Sequence, residues 1–145
     1  MSTNPILLSR SPKVQPWHLD RLAVVYVRQS TVHQVLENRE STERQYALAD
    51  RAVAYGWPRD RVLIIDEDQG KSGTTCEDRL GFQRLLAEVG LDRVGLILGI
   101  EMSRLTRSRK DWHKLLELCT SFRTLLGDQD GLYDPMDSND RLLLP

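Results

Sequence analysis

The sequence predicts an α/β domain of three layers, with a four- to five-stranded, mainly parallel sheet covered by helices on both faces. Three observations carry this expectation. Short apolar runs at residues 22–28, 61–66 and 94–100 alternate with longer stretches whose apolar residues recur at helical spacing. The runs are largely Leu, Val and Ile without regular polar alternation, which suits strands buried on both faces. The order β-α-β-α-β-α-β then calls for right-handed crossovers between parallel strands.

Residues 1–20 read as a flexible lead-in, since Pro5, Pro12 and Pro16 interrupt them and no apolar segment resembles a signal peptide. The domain is expected over residues 21–145. The first strand, 22–28, turns abruptly polar at Arg28-Gln29-Ser30, and residues 31–40 read as a loop. Ser41 or Asn38 is placed to cap the next helix, on which Tyr46, Ala49 and Val53 share one face and Leu48, Ala52 and Tyr55 another. Gly56 and Pro58 end it. The second strand stops at Asp66-Glu67-Asp68, and the glycines and hydroxyl residues of 69–75 read as a loop. Asp78 is placed to cap a helix with Phe82, Leu85, Leu86 and Val89 on one face, and Gly90 closes it.

The third strand stops at Glu101. After a basic stretch, Trp112, Leu115, Leu116 and Cys119 mark the next helix face. A fourth strand is expected at residues 122–126 and a short edge strand at 131–135, ended by Pro135. Leu142-Leu143-Leu144 would be unusual exposed at a terminus, so the chain is expected to be cut before a partner segment.

Bulk properties narrow the class. The 145 residues suit one domain with a single sizeable core. A formal net charge of -1 advertises no global basic field, so any nucleic-acid contact must come from local clusters. Cys76 and Cys119 fit no metal spacing and read as reduced thiols in a cytoplasmic protein. No apolar run is long enough for a membrane span.

In open α/β sheets, sites form beyond the carboxyl ends of the strands. Ser30 is the candidate nucleophile there. Arg28 is its phosphate partner, because strand alternation points both to one side and an arginine so placed needs an anion or a carboxylate. Arg104, Arg107, Arg109 and Lys110 crowd a helix start, where the dipole penalises each cation by roughly 0.3–1 kcal/mol. A sequence that accepts that penalty is suited to holding a phosphate on the positive potential and free N–H groups, although the same cluster also fits a solvated basic turn. Ser72 and Arg79 would add a hydroxyl and a guanidinium near the same rim, or belong to a plain loop. Gln45, on the first turns of the helix after Ser30, reads by itself as a surface residue. His18, His33 and His113 read as surface or loop histidines. No nucleophile elbow and no P-loop occurs.

Four motifs follow one another: Tyr26-x-Arg28-x-Ser30, Ser41-x-x-x-Gln45, Asp68-x-Gly70-x-Ser72-Gly73 with Arg79, and Ser103-Arg104-Leu105-x-Arg107. In that order they resemble the catalytic domain of the serine recombinases, the resolvase/invertase family, from about Arg21 to the C-terminus. The likeness is greatest to the large serine recombinases, which often carry Ser at the position of Ser103 where small resolvases carry Asp. Asp134-Pro135 and Asn139-Asp140-Arg141-Leu142 also resemble the end of such a domain.

The resemblance implies a mechanism. Ser30 attacks a DNA phosphodiester, a 5′-phosphoserine forms, and a 3′-hydroxyl is released to attack back after subunit rotation in a tetramer. Arg28, Arg79, Arg104 and Arg107 would surround the scissile phosphate, Gln45 would help position it, and Asp68 would serve a structural or proton-transfer role. Ser72, Arg109 and Lys110 are further candidates for phosphate contact. The partners implied are DNA and further copies of the chain, from dimer to tetramer, with no cofactor, metal, membrane or small-molecule substrate. Members of the family continue into a long helix and DNA-binding domains, so this chain is expected to be weak or inactive alone. Two other readings remain: a metal-dependent nuclease or phosphotransferase built on Asp66, Asp68 and Glu101, and a silent fragment that only associates with recombinase subunits.

Overall fold

The structure is a computed structural model. It describes residues 11–27, 39–66, 80–100, 102, 105–106 and 108–145, with the backbone alone described at 39–42, 44 and 45. Among these residues the chain runs α1 (Pro16–Leu19), β1 (Leu22–Tyr26), α2 (Arg39–Tyr55), a 3-10 turn at Arg59–Arg61, β2 (Val62–Ile65) and α3 (Leu80–Gly90). It continues through β3 (Val94–Leu98), α4 (Arg109–Phe122), β4 (Leu125–Gly127), β5 (Leu132–Tyr133) and α5 (Ser138–Leu143). The five strands form one sheet in the order β2-β1-β3-β4-β5. The first four are parallel, as expected of a mainly parallel sheet, and β5 closes one edge antiparallel.

Strand pleating sorts the core into two layers. Val24, Tyr26, Ile65, Ile97 and Leu126 face one side, where they meet Phe82, Leu85 and Val89 of α3 and Trp112, Leu115, Leu116 and Cys119 of α4. Ala23, Val25, Val27, Leu96, Leu98 and Leu125 face the other, where they meet Leu48, Ala52 and Tyr55 of α2, together with Trp57 and Val14. The helical spacings therefore mark the buried faces correctly. Cys119 is a free, buried thiol, and burial pushes its pKa well above the usual range.

Several boundaries differ from expectation. Residues 39 and 40, read as loop, already belong to α2, and Ser41 lies inside its first turn instead of capping it; Asn38 and Asp78 lie outside the described residues. The fourth strand begins at Leu125, not Phe122. Arg123 adopts a left-handed conformation (φ 57°), and the N–H groups of Arg123 and Thr124 both close back on the Cys119 carbonyl. Phe122 is thus the last residue of α4, and the segment Phe122–Leu126 is split by a helix C-cap that needs no glycine. Gly56 takes positive φ (119°) after α2 as expected, whereas after α3 it is Asp92, not Gly90, that does so.

Residues 11–20 are tied down, contrary to their reading as lead-in. Lys13 Nζ donates to the Leu132 carbonyl at 2.8 Å and pairs with Asp140 at 3.0 Å. His18, expected at the surface, is buried: its Nδ1 accepts from the Gln15 N–H at 2.9 Å and its Nε2 bonds the Arg123 carbonyl at 2.9 Å. α1 lies so close to β3 that only glycine fits at Gly95, where a Cβ would meet the His18 carbonyl oxygen at 2.5 Å. At the other terminus, Leu142 and Leu143 are exposed while Leu144 joins the core, and Trp112 Nε1 donates to the Pro145 carbonyl at 2.9 Å.

Candidate active site

In this sheet order the chain steps from β1 to β2 on one side and then crosses back over β1 to reach β3. Such a reversal opens a crevice at the carboxyl ends of the two central strands, the usual place for a site in open α/β sheets. The described residues at this edge are Val27 after β1, Asp66 after β2, Gly99 and Ile100 after β3, Gly127 at the end of β4 and Asp128 after it. Arg28, Ser30, Asp68, Ser72, Arg79, Glu101, Ser103, Arg104 and Arg107 lie outside the described residues, and of Gln45 only its backbone position in α2 is described. Arg109 and Lys110 are exposed on the first turn of α4.

The connection from β3 to α4 is built on buried anchors. Met102 and Leu105 sit in the core beneath α3 and α4, and the Leu105 N–H donates to the Met102 carbonyl at 3.2 Å. Gly99 makes room for Leu105, whose Cδ1 would lie 2.7 Å from any Cβ placed there. Thr106 Oγ1 donates to the Ser108 carbonyl at 3.2 Å, and Ser108 Oγ accepts from the Asp111 N–H at 3.1 Å as the cap of α4. One N–H expected to be available for an anion is therefore taken by Ser108, and Asp111 adds an acid to the same first turn.

Two polar contacts at this edge were not foreseen. Tyr46 of α2 donates its hydroxyl to Asp66 Oδ2 at 2.6 Å, and this bond, helped by burial, pushes the phenol up to about 12. α2 is thereby pinned to the exit of β2, one residue from Gln45. Asp66, a member of the metal-binding alternative, here accepts a tyrosine hydrogen bond. The second contact is Asp128, whose buried carboxylate closes the β4–β5 turn and reaches the Met102 N–H. A sign of that turn stands in the sequence, since Asp128 and Gly131 occupy the first and fourth positions that tight turns favour.

The opposite edge of the sheet has a different character. A cleft there is lined by Trp17, Arg21, Asp92, Phe122 and Arg123, with the Arg21 guanidinium 5.0 Å from the Trp17 ring centroid and 3.0 Å from Asp92. Of the predicted site residues, Arg109 and Lys110 are described, and neither lines it.

Strand order and the composition of the carboxyl edge define an α/β domain of the doubly wound kind, with a prospective centre where the exits of its central strands converge. Residues 23–145 match the family model described as Resolvase, N terminal domain. The chain belongs to that family, the serine recombinases, and carries its N-terminal domain. It is 58% identical over 132 residues, or 91% of its length, to the uncharacterized protein y4bA/y4pH of Sinorhizobium fredii (strain NBRC 101917 / NGR234). The match spans 19% of that protein's length. Among solved structures the chain is similar in fold to the N-terminal catalytic domain of TP901-1 integrase, with a TM-score of 0.61 at 22% identity over 85% of this chain and 88% of the other. Among the described residues, no helix is long and apolar enough to cross a membrane.

Proposed function

We propose that this chain is the catalytic domain of a site-specific DNA recombinase that breaks and rejoins DNA through a 5′-phosphoserine ester on Ser30. The observation that supports this best is the switch-point edge, because the chain leaves it at the points where the motif residues begin. Val27 leads directly into Arg28 and Ser30, Asp66 leads toward Asp68, Leu80 follows Arg79, and the anchors Met102, Leu105 and Thr106 interleave with Arg104 and Arg107.

In the proposed reaction the Ser30 Oγ attacks the phosphorus, an O–P bond forms, and the bond to the 3′-oxygen breaks. The serine proton is lost, and the 3′-oxygen leaves as a hydroxyl. The ester keeps the bond energy, so the reverse attack by a 3′-hydroxyl rejoins the strands without ATP. A phosphoryl-transfer transition state needs positioning and positive charge more than covalent help, and Arg28, Arg79, Arg104 and Arg107 are the proposed sources of that charge. Gln45 is the proposed positioning group. Arg109 and Lys110 are proposed to meet flanking DNA phosphates. The partners are DNA and further copies of the chain.

The test is to offer the chain a nicked or suicide DNA substrate and map any covalent adduct by mass spectrometry. We expect an adduct on Ser30, formed equally with and without EDTA and absent from Ser30→Ala. An adduct on another residue, or strand breakage that needs a divalent cation and survives Ser30→Ala, would overturn the proposal and favour the metal-dependent reading through Asp66, Asp68 and Glu101.

A further inference from the structure

We infer that Asp128 is a positioning residue that holds the start of the connection bearing Arg104 and Arg107; its consequence for catalysis rests on the phosphoserine reading above. Asp128 follows β4 at the carboxyl edge and is 5% exposed. Its two oxygens have separate tasks. Oδ1 accepts from the Asp130 N–H at 2.9 Å, the Gly131 N–H at 3.1 Å and the Tyr133 hydroxyl at 3.3 Å. Those bonds close the β4–β5 turn, and a purely structural aspartate would need no more. Oδ2 points out of the turn and accepts from the Met102 N–H at 3.4 Å, across a separation of 26 positions.

The grip on the β3 exit is double. The Gln129 N–H donates to the Ile100 carbonyl at 3.3 Å, so adjacent residues of one turn hold the chain on both sides of position 101. The turn is itself braced from α2, because Arg51 Nη1 donates to the carbonyls of Asp128 at 3.2 Å and Gln129 at 2.8 Å. The helix that carries Gln45 and the segment that carries Arg104 are thus referred to one rigid corner. Met102 stands two positions before Arg104, so the anchored N–H sets where that segment starts. Displacing a catalytic group by ~1 Å can slow a reaction by roughly a hundredfold.

The isosteric variant Asp128→Asn separates the two tasks. Three donors at the turn claim the amide oxygen, which leaves the amide nitrogen facing the Met102 N–H, donor against donor. We expect hydrogen exchange at the Met102 amide to quicken about tenfold or more, while the amides of Leu96, Ile97 and Leu98 keep their protection. The rate of Ser30 adduct formation at saturating DNA should fall roughly 10- to 100-fold, with little change in the DNA concentration giving half the maximal rate. Tyr133→Phe removes only a partner of Oδ1 and should leave both readouts near wild type.

The inference is overturned by unchanged exchange at Met102 in Asp128→Asn, by an adduct rate that holds despite faster exchange, or by an equal loss in Tyr133→Phe. A wild-type chain that forms no adduct favours instead the reading of a silent fragment that only associates with recombinase subunits. Exchange at Met102 then decides the anchoring by itself.

Discussion

Replacing Gly95 by alanine should unseat α1 from the sheet. The added Cβ would lie 2.5 Å from the His18 carbonyl oxygen and 3.2 Å from both the His18 carbonyl carbon and its Cα. Ordinary contact begins near 3.4 Å, so α1 would have to retreat by the difference, about 0.9 Å. No rotamer change can relieve this, because the obstacle is backbone. That carbonyl also accepts the Arg21 N–H at 3.0 Å, and the His18 ring is held to the Arg123 carbonyl at 2.9 Å, so a retreat strains both bonds. Overpacking of this kind costs ~1–3 kcal/mol, offset by ~0.5–1 kcal/mol from the backbone freedom that a strand glycine loses on folding, which leaves a net loss of roughly 1–2 kcal/mol.

The assay is urea unfolding followed by tryptophan fluorescence, to which Trp17 beside His18 contributes. With a slope of ~2 kcal/mol/M the midpoint should fall by about 0.5–1 M, the slope itself being unchanged. Gly90→Ala is the control. A Cβ there meets nothing within 4 Å, so it should hold or raise stability, by up to ~1 kcal/mol at a helix position. A Gly95→Ala protein as stable as wild type, or a Gly90→Ala protein that loses as much, would refute the close approach of α1 to β3.

Burial, chiefly, and the nearby Arg21 charge lower the pKa of His18 from 6.5, against the opposing pull of the Arg123 carbonyl and Asp134. The unfolded chain then binds a proton that the folded one resists, so stability is whole above about pH 6.5 and is lost as pH falls from there through the folded value. The urea midpoint should therefore drop between about pH 7.5 and pH 5.5 in wild type and drop less in His18→Gln; equal drops would exclude His18 as the cause. Tyr46→Phe should cost about 1 kcal/mol by removing the bond to Asp66, and should delete the phenol that titrates near 12 in the ultraviolet spectrum. A spectrum that keeps that phenol would assign it to another tyrosine.

The sequence alone carried the class of fold and the buried faces, because both are local and periodic. Leu22 to Val27 is apolar without alternation, and a strand covered on both sides requires that; Phe82, Leu85 and Val89 repeat at the pitch of a helix, and so do Trp112, Leu115, Leu116 and Cys119. The motif order that marks the family was legible for the same reason, since each motif is a short run of neighbours. Contacts between distant positions decided the remainder. The end of α4 rests on a left-handed Arg123, which no composition rule singles out. Gly95 looks like any strand glycine until α1 is laid against it. Tyr46 meets Asp66, Asp128 meets Met102, and Lys13 meets Asp140 across 127 positions only once the sheet has closed. A buried polar group must find a partner, but which partner it finds is set by the packing of whole elements and not by the residues beside it.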